Sequence, residues 1–137
     1  MSATVLYRIA AIVLILFAAG HTAGFLTFKP PSAEGTAVRD AMNGVHFAVG
    51  GKPYTYGGFY KGFGLTITAY LLFSALLAWH LGGLAATRPE AIGVLGWAFF
   101  GLQIASLVLT WMCFFPVPAV FAGVVALCTG WAAVVTR

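Results

Sequence analysis

The chain has 137 residues, of which 61% are hydrophobic and only 7% are charged, against about 25% charged residues in an ordinary soluble domain. So few charges would not cover the surface of a soluble fold, and we therefore expect lipid to be its solvent. The net charge of +4 comes from seven Lys/Arg against three Asp/Glu, scattered without a basic run. This pattern does not predict a nucleic-acid partner. At this length we expect one domain, residues 1–137.

Four apolar stretches are long enough to cross a bilayer, since a helix needs about 20 apolar residues for this. They cover residues 5–28, 59–82, 91–115 and 117–135, and none contains Asp or Glu. No small-residue cleavage site follows the first stretch, so we read it as a span and not as a signal peptide. The predicted fold is all-α, an integral membrane four-helix up-and-down bundle.

Prolines and glycines between the apolar stretches predict where the helices end. Lys29-Pro30-Pro31 ends the first helix, because two prolines remove donors and disfavour helical geometry before them. Gly82-Gly83 and Arg88-Pro89-Glu90 are predicted to turn the chain between spans two and three. Pro116-Val117-Pro118 leaves so short a connection that spans three and four must be antiparallel neighbours, with Pro118 near the first turn of the last helix.

The long first connection, residues 29–58, contains a predicted amphipathic helix over residues 35–49. Its apolar face is formed by Val38, Met42, Val45 and Val49, beside a polar stripe of Arg39, Asn43 and His46. Gly50-Gly51 is expected to end this helix, and residues 52–58 are read as loop. A helix this short and polar does not span, so we place it on the membrane surface or over the mouth of the bundle.

Two polar side chains stand out inside the spans. Gln103 lies near the middle of the third span, on one face with Gly96, Phe99, Ser106 and Thr110. Its amide needs a partner in hydrocarbon, either an interhelical hydrogen bond or a ligand. His21 lies about 10 Å inside the end of the first span. It is either a functional group, which is the default for an ionisable residue in a membrane, or a neutral histidine bonded to a neighbouring helix.

The predicted topology gathers most of the remaining polar candidates at the long-loop end of the bundle. Imidazoles titrate near neutral pH and could move protons, and an acidic residue could orient one of them. We therefore predict His21, His46 and Asp40 as catalytic candidates. The predicted ligand-binding residues are Tyr60, Lys61, Gln103, Trp111 and Asn43. We predict instead that His80, beside Trp79, anchors its helix at the membrane interface.

The leading functional hypothesis is binding of a small lipophilic molecule, with conversion by proton transfer as its extension. The main alternative is a non-catalytic subunit of a larger membrane complex or a homo-oligomer. A four-span multidrug transporter would need a carboxylate in the first span, where only His21 could substitute. A haem site is disfavoured because His21 and His80 lie toward opposite ends, and His21 with His46 could form an axial pair only if the surface helix folds inward. We predict no metal site, and the sequence specifies no cofactor.

Part of the chain resembles a group of small bacterial four-span proteins without assigned function. The resemblance rests on Gly20-His21-Thr22, Val45-His46-Phe47, Tyr56, Phe59-Tyr60, Gly62-Phe63-Gly64-Leu65 and Trp79. Gly57-Gly58 departs from that pattern, which has an aromatic and an acidic residue there. The resemblance implies a bacterial inner-membrane protein and brings no activity with it. Lys and Arg are too evenly divided between the two sides to predict the orientation.

Overall fold

The computed structural model describes residues 1–136. Over these residues the chain is all-helical in class, with 83% helix in five α-helices. In chain order the elements are α1 (Ala3–Thr27), α2 (Ala33–Gly44), β1 (His46–Val49), β2 (Lys52–Thr55), α3 (Tyr56–Thr87), a 3₁₀ turn (Pro89–Ala91), α4 (Gly93–Cys113) and α5 (Pro116–Val135).

Four of these helices are long and apolar enough to cross a membrane, which confirms the predicted number of spans. They are α1, α3, α4 and α5, with 25, 32, 21 and 20 residues. At 1.5 Å per residue α3 is about 48 Å long, whereas the hydrocarbon core of a bilayer is about 30 Å thick. Part of α3 must therefore extend beyond the hydrocarbon if the helix spans.

The helix α3 is longer at both ends than the predicted span of residues 59–82. Gly82-Gly83 does not end the helix. Gly82 lies under the side chain of Arg8, where a Cβ would come within 3.2 Å of Nε. Here the glycine serves close helix packing. The helix ends at Thr87, before Pro89 opens the 3₁₀ turn, and Gly93 has the positive φ of 42° with which α4 starts.

The predicted helix over residues 35–49 is wrong in its last third, residues 45–49. α2 ends at Gly44, and residues 46–55 form an antiparallel hairpin that pairs His46 with Thr55 and Val49 with Lys52. Gly50 and Gly51 have φ values of 58° and 77°, and two successive positive φ values form a tight two-residue hairpin turn. His46 and Val49 therefore belong to a strand, and the region read as loop contains β2.

The start of α2 is set by a cap. Ser32 precedes the helix, and its hydroxyl oxygen accepts the N–H of Gly35 at 3.1 Å, which satisfies one of the donors left free at a helix start. No residue of α2 is buried. The helix therefore has no core of its own.

The chain divides into two compact units. The first unit comprises Met1–Ala18 with Leu71–Arg137, and the second comprises Ala19–Tyr70. The buried hydrophobic residues all belong to the first unit, and more than half are alanine. Small side chains let helix backbones approach closely, as is typical of membrane bundles. On α4 the buried residues are Gly96, Phe99 and Gln103, the face predicted from their spacing.

The second unit contains the last part of α1, α2, the hairpin and the first half of α3. The structure describes all of its residues, and Gly64 is the one that is fully buried. Aromatic contacts and side-chain hydrogen bonds, described next, hold its elements together.

Candidate functional site

His21 joins α1 to α3 in the second unit. Its Nε2 lies 3.0 Å from the carbonyl oxygen of Gly64. Because a carbonyl only accepts, Nε2 must carry the proton, which leaves Nδ1 as the acceptor of the neutral ring. Nearby, the hydroxyls of Thr22 and Thr68 are bonded at 2.9 Å. These bonds fit the interpretation of His21 as a histidine that is bonded to a neighbouring helix.

Phe25 connects His21 with Tyr60. Its ring stacks on the His21 imidazole at 5.8 Å between centres, and its other ring contact is with Tyr60 at 5.3 Å. The ring of Phe25 lies directly against Gly64, where a Cβ would overlap three of its atoms. A residue with any side chain at position 64 would therefore push Phe25 away from α3.

A second aromatic cluster attaches the hairpin to the start of α3. Phe47 on β1 has its ring centre 4.9 Å from that of Tyr56, 5.4 Å from that of Phe59 and 6.1 Å from that of Tyr54. Phe59 also contacts Phe63 one turn further along α3, at 5.8 Å. Such aromatic pairs contribute about 0.5–1.5 kcal/mol each beyond their buried area, which stabilises a hairpin too short to persist alone.

An apolar groove with a volume of about 450 Å³ runs between the hairpin and α3. It is lined by Tyr54, Thr55, Gly58, Phe59, Gly62, Phe63 and Thr66. The two threonine hydroxyls serve the helix backbone: Thr55 accepts the N–H of Gly58 at 3.0 Å, and Thr66 donates to the Gly62 carbonyl at 2.9 Å. The other lining residues are Tyr54, Phe59, Phe63 and two glycines, so most of the lining is apolar.

The predicted site residues of the second unit are placed as follows. His21 and Tyr60 come together through Phe25, as described. His46 is exposed on β1, with its Nδ1 2.9 Å from the Gly44 carbonyl. Asn43 lies against Gly57, where a Cβ would overlap its side-chain oxygen. Asp40 and Lys61 are exposed. The residues that line the groove include none of these six.

Gln103 and Trp111 belong to the first unit. Gln103 is buried, with 2% of its surface exposed, whereas Trp111 is 74% exposed. The burial of Gln103 agrees with the expectation that an amide at this depth faces other helices.

The charges of the second unit are mostly positive and all exposed. Its basic residues are Lys29, Arg39, Lys52 and Lys61, and its acidic residues are Glu34 and Asp40. Glu34 lies in the first turn of α2, where its own backbone N–H and the Ser32 hydroxyl hold the pKa of its carboxyl below the ordinary value. An acid in the first turn of a helix is also favoured by the helix dipole.

Sequence reasoning missed the groove because it missed the hairpin. Two adjacent glycines followed residues with high strand propensity, Phe47 and Val49, and preceded Tyr54. This is a hairpin signal, and it would have placed Tyr54 and Phe59 side by side. Phe25 was also missed, since an aromatic residue in an apolar span carries no signal of its own.

Chemically, the arrangement offers an apolar groove and, on the contact between α1 and α3, an imidazole with one acceptor nitrogen. Within residues 1–136, no three His, Cys, Asp or Glu side chains come together in a way that could hold a metal ion. Comparison of the chain with protein-family models, with curated proteins and with solved structures finds no match.

Proposed function

We propose that this chain is a membrane protein that binds an elongated lipophilic molecule in the groove between the hairpin and α3. The observation that carries the proposal is the groove itself. Its volume of about 450 Å³ lies within the range of small-molecule pockets, about 300–1,000 Å³, and such pockets are mostly apolar with a few polar groups. The Tyr54 hydroxyl is the group that would bond the polar end of the ligand.

Gly62 on the floor of the groove supports this proposal. Glycine inside a helix costs about 1 kcal/mol relative to alanine, and nothing lies within 4 Å of the position that a Cβ would take at Gly62. No packing contact in the chain therefore requires this glycine. The space beside the α3 backbone is left open, and an aliphatic chain would fill it.

We further propose that the four long helices cross the bilayer in an up-and-down order. Two observations support antiparallel neighbours. In the second unit α1 meets α3 through Thr22 with Thr68 and Phe25 with Tyr60, so the residue numbers run in opposite directions. The two residues between Cys113 and Pro116 leave room only for a tight reversal from α4 to α5.

The same proposal places α2 on the membrane surface. Its apolar side chains include Val38, which is 60% exposed, and its polar residues Arg39 and Asn43 are also exposed. Burial of Val38 in the headgroup region would remove this apolar surface from water. A bacterial inner-membrane location and assembly with further membrane subunits stay predictions.

The proposal extends to chemical conversion of the bound ligand, with His21 as the residue that would transfer a proton. It requires the ligand to reach Nδ1, because Nε2 is bonded to Gly64. Since His21 does not line the groove, binding and conversion make separate predictions. Loss of His21 would remove conversion while leaving the groove and its occupant in place.

The proposal is tested with a photoactivatable long-chain fatty acid that carries a diazirine in its chain. Protein in phosphatidylcholine nanodiscs is labelled, and the labelled residues are mapped by mass spectrometry. We expect labelling of Tyr54, Phe59 and Phe63 that saturates and is displaced by unlabelled oleic acid. Gly62→Leu fills the groove and is expected to reduce this labelling at least about tenfold, equivalent to about 1.4 kcal/mol.

Gly101→Leu is the matched control. Gly101 is also an exposed helical glycine with nothing within 4 Å of its Cβ position, but it lies on α4 in the first unit. This variant is expected to keep wild-type labelling at the groove. Labelling that oleic acid does not displace, or that Gly62→Leu leaves unchanged, would show that the fatty acid meets the groove only as bulk lipid and would refute the proposal.

A further inference from the structure

Arg8 lies across α3 in the first unit. Its guanidinium carbon is 3.4 Å from the centre of the Trp79 ring, a distance typical of a cation–π contact. Gly82 makes this position accessible, because a Cβ there would come within 3.2 Å of Nε and 3.4 Å of Cδ. The arginine is therefore held in a defined place by an aromatic face and a glycine.

The charge of Arg8 has no carboxylate to balance it within the spans. Arg8 and Lys61 are the charged residues of the four candidate spans, and the three acids of the chain, Glu34, Asp40 and Glu90, all lie outside them. The Nη1 of Arg8 is buried and bonds to no atom among the described residues. A buried donor without a partner is unfavourable, although Arg8 as a whole is only partly buried.

The position of Arg8 along α1 indicates what would balance it. Arg8 is five residues after Ala3, the first residue of α1, or about 7.5 Å along the helix axis. If α1 spans, this depth brings the long side chain of an arginine to the layer of lipid headgroups. Trp79 is 52% exposed, and tryptophan is enriched at the same layer.

From this geometry we propose that Arg8, stacked on Trp79, binds a phosphate group. A guanidinium presents a fork of N–H donors that matches phosphate oxygens. Because Nη1 is covered by the protein, the phosphate would approach the remaining N–H donors of the group. The chemistry is the same for the phosphodiester of a lipid headgroup and for free phosphate. This site lies in the first unit, and its residues are separate from those of the proposed groove.

The test is native mass spectrometry of the full chain in dodecyl maltoside with phosphatidylglycerol as the probe. Diacylglycerol with the same chains serves as the phosphate-free comparison. We expect the wild type to retain phosphatidylglycerol and to bind diacylglycerol at least about tenfold more weakly, a difference of about 1.4 kcal/mol. Arg8→Gln is expected to lose at least tenfold in phosphatidylglycerol affinity.

Arg88→Gln is the matched control, since it removes the same charge from an exposed arginine of the same unit. It is expected to retain phosphatidylglycerol within about twofold of the wild type. Should Arg8→Gln not fold, Arg8→Lys keeps the charge and removes the planar fork of donors, and we expect it to weaken binding several-fold. Either variant with wild-type affinity, or diacylglycerol that binds as well as phosphatidylglycerol, would overturn the proposal.

A competition arm separates the two sources of phosphate. Displacement of phosphatidylglycerol from the wild type by millimolar inorganic phosphate would assign the site to phosphate in general. Retention of the lipid under those conditions would assign it to the lipid headgroup. Each result supports the proposal in a different form, provided that Arg8→Gln has lost the lipid.

Discussion

The two units of this chain use different residues to hold their helices together. In the first unit a core rich in alanine is buried, together with large side chains such as Tyr7 and Phe99. In the second unit only Gly64 is fully buried, and the contacts are made by rings and by single hydrogen bonds, such as that of His21. The first pattern is typical of helices that pack in lipid, whereas the second depends on contacts between aromatic rings.

This difference bears on where the proposed ligand would bind. In the first unit the core is closely packed, and an apolar depression of about 420 Å³ is lined by Leu107, Val108, Trp111 and Met112, which all lie on α4. In the second unit the groove lies between two elements, the hairpin and α3, and Tyr54, Phe59 and Phe63 are part of its lining. If the two units pack differently, matched substitutions in them should change the free energy of unfolding by different amounts.

The largest effect is expected for Gly64→Ala in the second unit. The new methyl group would overlap the ring of Phe25 and so disturb the contacts of that ring with His21 and Tyr60. Overpacking of this kind costs about 2–3 kcal/mol. The free energy of unfolding is to be measured by titration with SDS in mixed micelles.

Gly62→Ala is the control for this substitution, since it makes the same change two residues earlier in α3 where the space is open. It is expected to stabilise the chain by up to about 1 kcal/mol, because alanine favours the helix. Equal effects at positions 62 and 64 would mean that the contact with Phe25 does not hold the second unit together.

The corresponding substitution in the first unit is Gly96→Ala, with an expected loss of about 2 kcal/mol. The added Cβ would come within 2.8 Å of Ile92 Cγ2 and 3.0 Å of the Tyr7 hydroxyl, and both residues are fully buried. The same SDS titration measures the free energy of unfolding of this variant. Gly101→Ala is the control, because nothing lies within 4 Å of the Cβ position at Gly101. A neutral Gly96→Ala variant would contradict the tight packing of this unit.

His21→Ala is expected to destabilise the chain by about 1–2 kcal/mol. The change removes the hydrogen bond to the Gly64 carbonyl and the stacking on Phe25, which contribute about 1 kcal/mol or less each. His80→Ala, at an exposed position, serves as the control and should be nearly neutral. In His21→Ala the fatty-acid labelling of the groove should stay within about twofold of the wild type. A larger loss of labelling would indicate that His21 takes part in ligand binding.

The smallest effect concerns the start of α2. The Ser32 hydroxyl and a backbone N–H lower the pKa of Glu34 below its ordinary value of 4.5. A lowered pKa in the folded state stabilises that state above the ordinary pKa, and this contribution is lost as the pH falls through the lowered value. We expect α2 to fray on acidification below about pH 4.5.

Carboxyl NMR titration of Glu34 measures this effect. Ser32→Ala removes both the cap of α2 and the bond to the carboxylate, so the midpoint of the Glu34 titration should move up toward its ordinary value. An unchanged midpoint in Ser32→Ala would show that the serine does not act on the acid.

Part of this architecture could be predicted from the sequence because lipid imposes a simple length rule. Four apolar stretches predicted four long helices, and the spacing of Gly96, Phe99 and Gln103 predicted the buried face of α4. The boundaries at Gly82 and at Val49 were wrong for a physical reason. A glycine ends a helix, permits close packing or forms a hairpin turn according to its neighbours in space, which the local sequence does not contain.

The site was predictable only in its region. The second unit does hold His21, His46 and Tyr60, but the groove is lined by other residues. The site was predicted from polar side chains, because a polar group within a span is unfavourable unless it has a partner. The groove is instead lined mainly by aromatic residues and glycines. Its shape depends on the pairing of two four-residue strands, and such short strands carry weak sequence signals.

The account depends most on whether the groove holds a lipophilic molecule in the protein as it is made in cells. Organic extracts of the purified wild type, Gly62→Leu and Gly101→Leu proteins are to be compared by mass spectrometry. We predict a lipophilic compound in near-stoichiometric amount in the wild-type and Gly101→Leu extracts and its absence from the Gly62→Leu extract. Extracts that contain the same compounds in the same amounts for all three proteins would contradict the central claim.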